Sequence, residues 1–76
     1  MMRYFFDVND KSSTQYDYSG RFFPNIGEAR EMAELIAIDL ACTEIDQSFA
    51  REVQVRDPAG KQLFSVAVRL RDALAA

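Results

Sequence analysis

The chain has 76 residues, of which 49% are hydrophobic and 28% are charged, so we expect one globular domain spanning residues 1–76. Twelve Asp and Glu residues against nine Lys and Arg residues give a net charge of −3, which argues against nucleic acid as the main partner. Histidine is absent, which excludes Ser-His-Asp and Cys-His catalytic sites and nearly all transition-metal sites. The single cysteine, Cys42, excludes an internal disulfide.

The first third of the chain predicts an antiparallel hairpin. Residues Arg3–Val8 alternate as a half-buried strand does, with Tyr4 and Phe6 on the apolar face. A run of polar turn formers follows, and Gln15–Ser19 then alternates again as far as Gly20. The two alternating runs are close enough in sequence to pair as neighbouring strands.

A long helix is predicted next. Asn25 is a good N-cap residue, and Glu28, three residues later, completes a capping box. Neither proline nor glycine interrupts the chain from Glu28 to about Asp46, a length that corresponds to about five helical turns. One apolar stripe predicts the contact with the sheet, and it comprises Ile26, Ala29, Ala33, Ile36, Ala37 and Leu40.

The last third of the chain predicts a second hairpin. Arg51–Asp57 and Gln62–Leu70 both alternate, and Asp57–Gly60 between them has the composition of a tight turn. We predict a folded core over residues 1–70 and a frayed tail over residues 71–76.

These elements predict an α+β fold, a two-layer ββαββ arrangement in which one long helix packs on one face of an antiparallel sheet. In addition to the helix stripe, the expected core contains Tyr4, Phe6, Val53, Val55, Phe64 and Val66. The opposite face of the sheet is expected to carry Phe5, Leu63 and Ala67.

The sequence contains no recognisable catalytic or cofactor-binding motif and no recognisable targeting or membrane-spanning segment. It offers no nucleophile beside a base, no glycine-rich phosphate loop and no metal-ligand spacing, so we predict a non-enzymatic protein with no cofactor, metal or small-molecule ligand. Asp7 interrupts the apolar N-terminal stretch, and the longest apolar run elsewhere is Leu35–Ile38. Both runs are too short for a secretory signal or a membrane span, so we expect a cytoplasmic protein.

A second apolar group on the predicted helix is not needed by a fold with one helix on one sheet. Its members, Leu35, Ile38, Cys42 and Ile45, lie far round the helix from the core stripe. A contiguous apolar group is unusual on the surface of a soluble monomer, so this group is a candidate interface for a second copy or another protein. The alternative is that the loop Gln47–Ala50, or the C-terminal tail, folds back over it.

Four sequence segments resemble, in this order, a family of small bacterial proteins, many from rhizobia, that is known only as a domain of unknown function. They are RYFFDV, a loop ending in Gly20, FPNIGEAREMAE and VRDPAG, and together they cover Arg3 to about Val68. The family's loop is usually rich in Asp and Glu, whereas Asp17–Gly20 is only lightly acidic here. The resemblance supports the fold and implies no activity, substrate or catalytic residue.

The C-terminal sequence Ala73–Ala76 is similar to the end of the bacterial tag that marks stalled translation products for proteolysis. Leu74, Ala75 and Ala76 are therefore a candidate degradation signal. The alternative is an alanine-rich frayed end.

Taken together, these features predict a protein that acts through self-association as a homodimer, or through binding to a protein partner. The alternative is a regulator that resembles HicB-type antitoxins, which share an RY-type first strand, a following hairpin and a Phe-Pro before the helix. Their acidic body neutralises a small basic toxin, and they usually continue into a DNA-binding segment.

Overall fold

A computed structural model describes residues 1–10, 13–43 and 51–68. Within these residues, five strands form an antiparallel sheet and one helix packs on one of its faces, which confirms the predicted α+β arrangement. The strands are β1 (Met2–Asn9), β2 (Thr14–Gln15), β3 (Arg21–Phe23), β4 (Arg51–Arg56) and β5 (Gln62–Val68), and the helix is α1 (Ile26–Thr43).

The sheet is built outward from β1. On one side β1 pairs with β4, and β4 pairs with β5, which places β5 at an edge of the sheet. On its other side β1 pairs with two short strands, β2 opposite Val8 and Asn9 and β3 opposite Met2–Tyr4. The predicted strand Gln15–Ser19 is therefore wrong beyond its first residue, and β3 was not predicted. The contacts of Asp17, described below, explain why.

The helix starts as the sequence predicts. The Asn25 side-chain Oδ1 accepts a hydrogen bond from the Glu28 backbone N–H at 2.9 Å, which caps the first turn of α1. The predicted continuation from residue 44 to Asp46 lies outside the described residues. Four alanines spaced four residues apart are fully or almost fully buried against the sheet, namely Ala29, Ala33, Ala37 and Ala41.

Small side chains on this stripe let the helix lie close to the sheet. Of the predicted stripe, Ile36 and Leu40 pack against the core at its margin, whereas Ile26 is 50% exposed because it precedes the first buried turn. The placement of Ile26 in the core was wrong, and Ala41 was missed.

The core lies between α1 and the strands β1 and β4. Val53 and Val55 of β4 are fully buried, and Tyr4 and Phe6 of β1 are nearly so. The ring of Phe23 in β3 lies 5.8 Å from the ring of Phe6 in an edge-to-face arrangement, a geometry that aromatic pairs favour. Phe64 and Val66 of β5 pack at the margin of this core, as predicted.

The second hairpin contains the predicted tight turn and one irregularity. The Gly60 N–H donates to the Asp57 carbonyl at 3.0 Å, which closes the turn. Between the pairs Val55–Phe64 and Arg56–Gln62 the register shifts, so that β5 has one extra residue, Leu63. This bulge breaks the alternation, and Leu63 packs against the core instead of lying on the opposite face as predicted.

Gly20 allows the chain to pass close to β1 before β3 begins. Its φ is +73°, in the left-handed region that favours glycine. A Cβ atom at this position would lie 3.0 Å from Arg3 Nε and 3.0 Å from Phe5 Cε1, closer than side chains normally approach. The position therefore requires glycine for two separate reasons.

We predict that Gly20→Ala destabilises the protein more than Gly60→Ala does. Gly60 also has a positive φ, of +90°, but a Cβ atom there meets nothing within 4 Å. Gly60→Ala should lower the free energy of unfolding by about 1–2 kcal/mol through backbone strain alone. Gly20→Ala should cost at least about 1 kcal/mol more because of the added steric overlap. Urea unfolding followed by circular dichroism measures both, and equal losses would contradict the close approach at Gly20.

Candidate functional site

Three of the four residues predicted as an interface are described, and they lie on the surface of α1 away from the core stripe. Leu35 is 59% exposed, Cys42 is exposed and Ile38 is half-buried. Ile45 lies outside the described residues. We call the surface formed by Leu35, Ile38 and Cys42 the outer side of α1.

The outer side of α1 is surrounded by acidic side chains, since Glu28, Glu31, Glu34 and Asp39 are all exposed. Arg30 lies 3.4 Å from Glu34, but both side chains are more than half exposed, so this ion pair adds little stability. The Arg30 guanidinium also lies 5.4 Å from the centre of the Phe64 ring, which places this flank of the helix beside β5.

On the face of the sheet opposite α1, which we call the distal face, a buried ion pair joins β1 to β4. Asp7 is only 3% exposed, and its Oδ2 accepts a hydrogen bond from Arg56 Nε at 2.7 Å. Short, charge-assisted hydrogen bonds of this kind are among the strongest in proteins. The sequence analysis missed this pair, whose signal is a carboxylate among the aromatic residues of the first strand.

The segment Tyr16–Gly20 connects β2 to β3, and we call it the Asp17 loop. The Asp17 side chain fills the part of the β1 edge that lies between these two strands. Its Oδ2 accepts from the Phe6 backbone N–H at 3.2 Å, and its Oδ1 accepts from the Ser19 and Gly20 N–H groups at 3.1 and 3.0 Å. Its own N–H donates to Asp7 Oδ1 at 2.9 Å. A side chain thus satisfies a backbone group that a continuous strand would otherwise have paired.

Arg56 contacts both the Asp17 loop and the buried carboxylate of Asp7, because its Nη2 donates a hydrogen bond to the Asp17 carbonyl at 3.0 Å. The hydrogen bond from Arg56 to Asp7 and the charges of Asp7 and Asp17 outweigh the effect of burial and raise the pKa of Arg56. We call these three residues, Asp7, Asp17 and Arg56, the acidic–arginine network.

The environment of Asp17 favours its ionised form. Burial by itself raises the pKa of this carboxyl group, but the N–H groups of Gly20, Phe6 and Ser19, with the charge of Arg21, more than offset it. The pKa of Asp17 is therefore lowered from its ordinary value of 3.8.

Arginines and aromatic rings stack along the distal face. The Arg3 guanidinium lies 5.0 Å from the centre of the Phe5 ring and 5.9 Å from that of Phe22. The Arg56 guanidinium lies 4.6 Å from the Phe5 ring and 5.9 Å from the Tyr16 ring. Arg3 also donates from Nε and Nη2 to the Ser19 carbonyl, the Nε bond being 2.8 Å long. Both guanidinium groups are thus held by the fold, which fits a structural role.

A cleft of about 360 Å³ lies between the Asp17 loop and α1. Its apolar lining comes from Phe6, Val8 and Ile36, and its polar lining includes Gln15 and Arg21. In the part of the chain that the structure describes, no group of three Asp, Glu or Cys side chains is arranged to hold a metal ion. Likewise, no described helix is long and apolar enough to cross a membrane.

Comparison of the sequence with known protein families shows which family the chain belongs to. A family model described as a domain of unknown function, DUF6894, matches residues 3–69. The chain belongs to the DUF6894 family. This confirms the predicted membership of a family of unknown function, over nearly the same residues as the resemblance. No curated protein and no solved structure matches the sequence. The DUF6894 description names no ligand or reaction, so function must be argued from the geometry.

We predict that Arg56→Met destabilises the protein strongly and that a second change, Asp7→Asn, partly reverses the loss. Removing Arg56 leaves the carboxylate of Asp7 buried without its charged partner, which should cost about 3–5 kcal/mol of the free energy of unfolding. An uncharged amide at position 7 no longer carries this penalty, so the double variant should be more stable than Arg56→Met. Chemical unfolding of the four proteins measures the coupling, and strictly additive losses would contradict it.

The lowered pKa of Asp17 predicts how acid affects stability. A carboxyl group whose pKa is lower in the folded state stabilises the protein above its unfolded pKa, and this contribution is lost as pH falls through the folded pKa. Wild type should therefore exceed Asp17→Asn in unfolding free energy at neutral pH, and the difference should shrink below the ordinary value of 3.8. Thermal unfolding of both proteins across this range measures the difference, and a constant gap would refute the prediction.

Proposed function

We propose that this is a non-enzymatic, cytoplasmic bacterial protein that acts by binding another protein, and that the outer side of α1 is its docking surface. The observation that carries the proposal is the exposure of Leu35, beside Ile38 and Cys42, on a helix whose opposite side already supplies the core. Apolar side chains grouped on the surface in this way are typical of protein-binding sites. The single cysteine, which leaves no disulfide to form within the chain, fits a reducing compartment.

Charge indicates the chemistry of the partner. If two copies met through this surface, exposed carboxylates such as those of Glu28 and Glu31 would approach each other across the interface. Like charges brought together at an interface cost several kcal/mol, and opposite charges favour both encounter and register. The expected partner is therefore a chain that presents apolar side chains surrounded by lysine and arginine.

The same observation favours a second candidate function, a regulator that resembles HicB-type antitoxins. In that case the acidic helix would neutralise a small basic protein. A gene for a small protein with a pI above about 9 next to the gene for this chain would favour this candidate. Without such a neighbour, a partner encoded elsewhere is favoured.

The proposed docking surface predicts that a helical peptide with leucines on one face and lysines elsewhere binds the protein, whereas its glutamate counterpart does not. NMR amide shifts should change around Leu35, Ile38 and Cys42. Leu35→Ser removes apolar area and leaves the charge unchanged, so it should weaken binding of the lysine peptide roughly tenfold. Because Leu35 is exposed, the stability of this variant should change by less than about 0.5 kcal/mol.

Equal affinity of wild type and Leu35→Ser for the lysine peptide would show that charge alone drives binding, which would overturn the docking surface. Ile38→Ser tests the same surface from its half-buried flank without changing the charge and should also weaken binding. Parallel capture from native cells with wild type and Leu35→Ser as baits then identifies the partner. The proposal requires a basic protein that is retained by wild type and lost from the variant.

A further inference from the structure

The two edges of the sheet are protected to very different degrees. On the β1 side, β2 and β3 are two and three residues long, and the Asp17 loop fills the gap between them. On the other side, β5 has seven residues, and among the described residues it pairs with β4 only. Exposed edge strands are usually kept apart from other chains by charges, prolines or short length. The segment Gln62–Val68 contains no charged residue and no proline, and only the bulge at Leu63 interrupts it.

The hydrogen bonds of the sheet determine which backbone groups of β5 point outward. The Phe6 N–H donates to Asp17 on the side of β1 away from β4. In an antiparallel pair, the backbone N–H and C=O groups of two opposite residues either face each other or both face away. Val55 lies opposite Phe6, so its backbone groups face away from β1 and toward β5. The backbone groups of its partner Phe64 therefore face β4, and so do those of Val66, which lies opposite Val53. The N–H and C=O groups of Ser65 and Ala67 consequently face away from the sheet.

The side chains of this strand are suited to burial by a further strand. Phe64, Val66 and Val68 lie on the α1 side and are only half-buried, whereas Val53 and Val55 of the neighbouring strand are fully buried. Another strand beside β5 would cover this apolar row. Ser65 and Ala67 lie on the distal face and are small, so they would not obstruct a neighbouring strand.

We propose that a second copy of this chain pairs with β5 through its own β5, which joins the two sheets into one. Two-fold symmetry is the usual arrangement of homodimers, and a two-fold axis perpendicular to the sheet places a strand antiparallel to its own copy. Pairing centred on Ser65 sets Ser65 opposite Ser65 and Phe64 opposite Val66, and within Gln62–Val68 it brings no charged residues together. This contact is separate from the docking of a basic partner on the outer side of α1, and either can exist without the other.

Sedimentation velocity over a concentration series tests the proposal with wild type, Ser65→Pro and Ser65→Thr. Wild type should form a dimer. Ser65→Pro should be a monomer, because proline has no N–H to donate across the interface, and this N–H is not used within the sheet. Ser65→Thr keeps the N–H and should remain a dimer. A wild-type monomer at every concentration, or a dimer that Ser65→Pro leaves intact, would overturn the proposal.

A charge pair tests the register and covers the case in which Ser65→Pro does not fold. In Ser65→Lys alone, or in Ser65→Glu alone, two like charges would lie directly opposite each other across the two-fold axis. Each should self-associate up to about fivefold more weakly than wild type, and an equal mixture of the two should recover the dimer. If both variants associate as tightly as wild type, or if their mixture shows no recovery, the pairing centred on Ser65 is wrong. Leu35→Ser should leave the dimer unchanged, which separates this contact from the docking surface.

Discussion

The hydrogen bond between Asp7 and Arg56 is the contact on which the arrangement around β1 depends. It links the centre of β1 to the end of β4 across 49 residues of sequence, and both groups then hold the Asp17 loop. A carboxylate that is almost fully buried is stable only when its charge and its oxygens are satisfied. Because Asp17 in turn accepts the Phe6 N–H, the network determines where β1 can and cannot pair with another strand.

The described part of the molecule has three surfaces that differ in chemistry. The distal face holds its arginines between aromatic rings and backbone carbonyls, so their charge serves the fold. The outer side of α1 combines apolar residues with carboxylates, whereas the β5 edge has no charge. A negative helix surface and a neutral strand edge would select different partners, so the two proposed contacts do not exclude each other.

Most of the architecture could be predicted from local patterns. Alternation located β1, β4 and β5, the Asn25 cap located the start of α1, and the Asp57–Gly60 sequence located the turn. The outer side of α1 was also predictable, because helical periodicity separates it from the alanine stripe.

The errors in the sheet share one physical cause, since each depends on contacts between residues that are distant in sequence. Tyr16–Ser19 alternates like a strand, yet the Asp17 side chain replaces the backbone pairing. The alternating pattern of β5 predicts that Leu63 lies on the face away from α1, but the register between β4 and β5 shifts at that point. The register that brings Asp7 to Arg56 is likewise a property of the assembled sheet.

The interruption of the β1 edge has a further consequence. A sheet with two open edges can add molecules at both ends and grow into a fibre. Among the described residues only the β5 edge is long enough to accept a strand, so in the proposed dimer strand addition would end once two β5 edges had met.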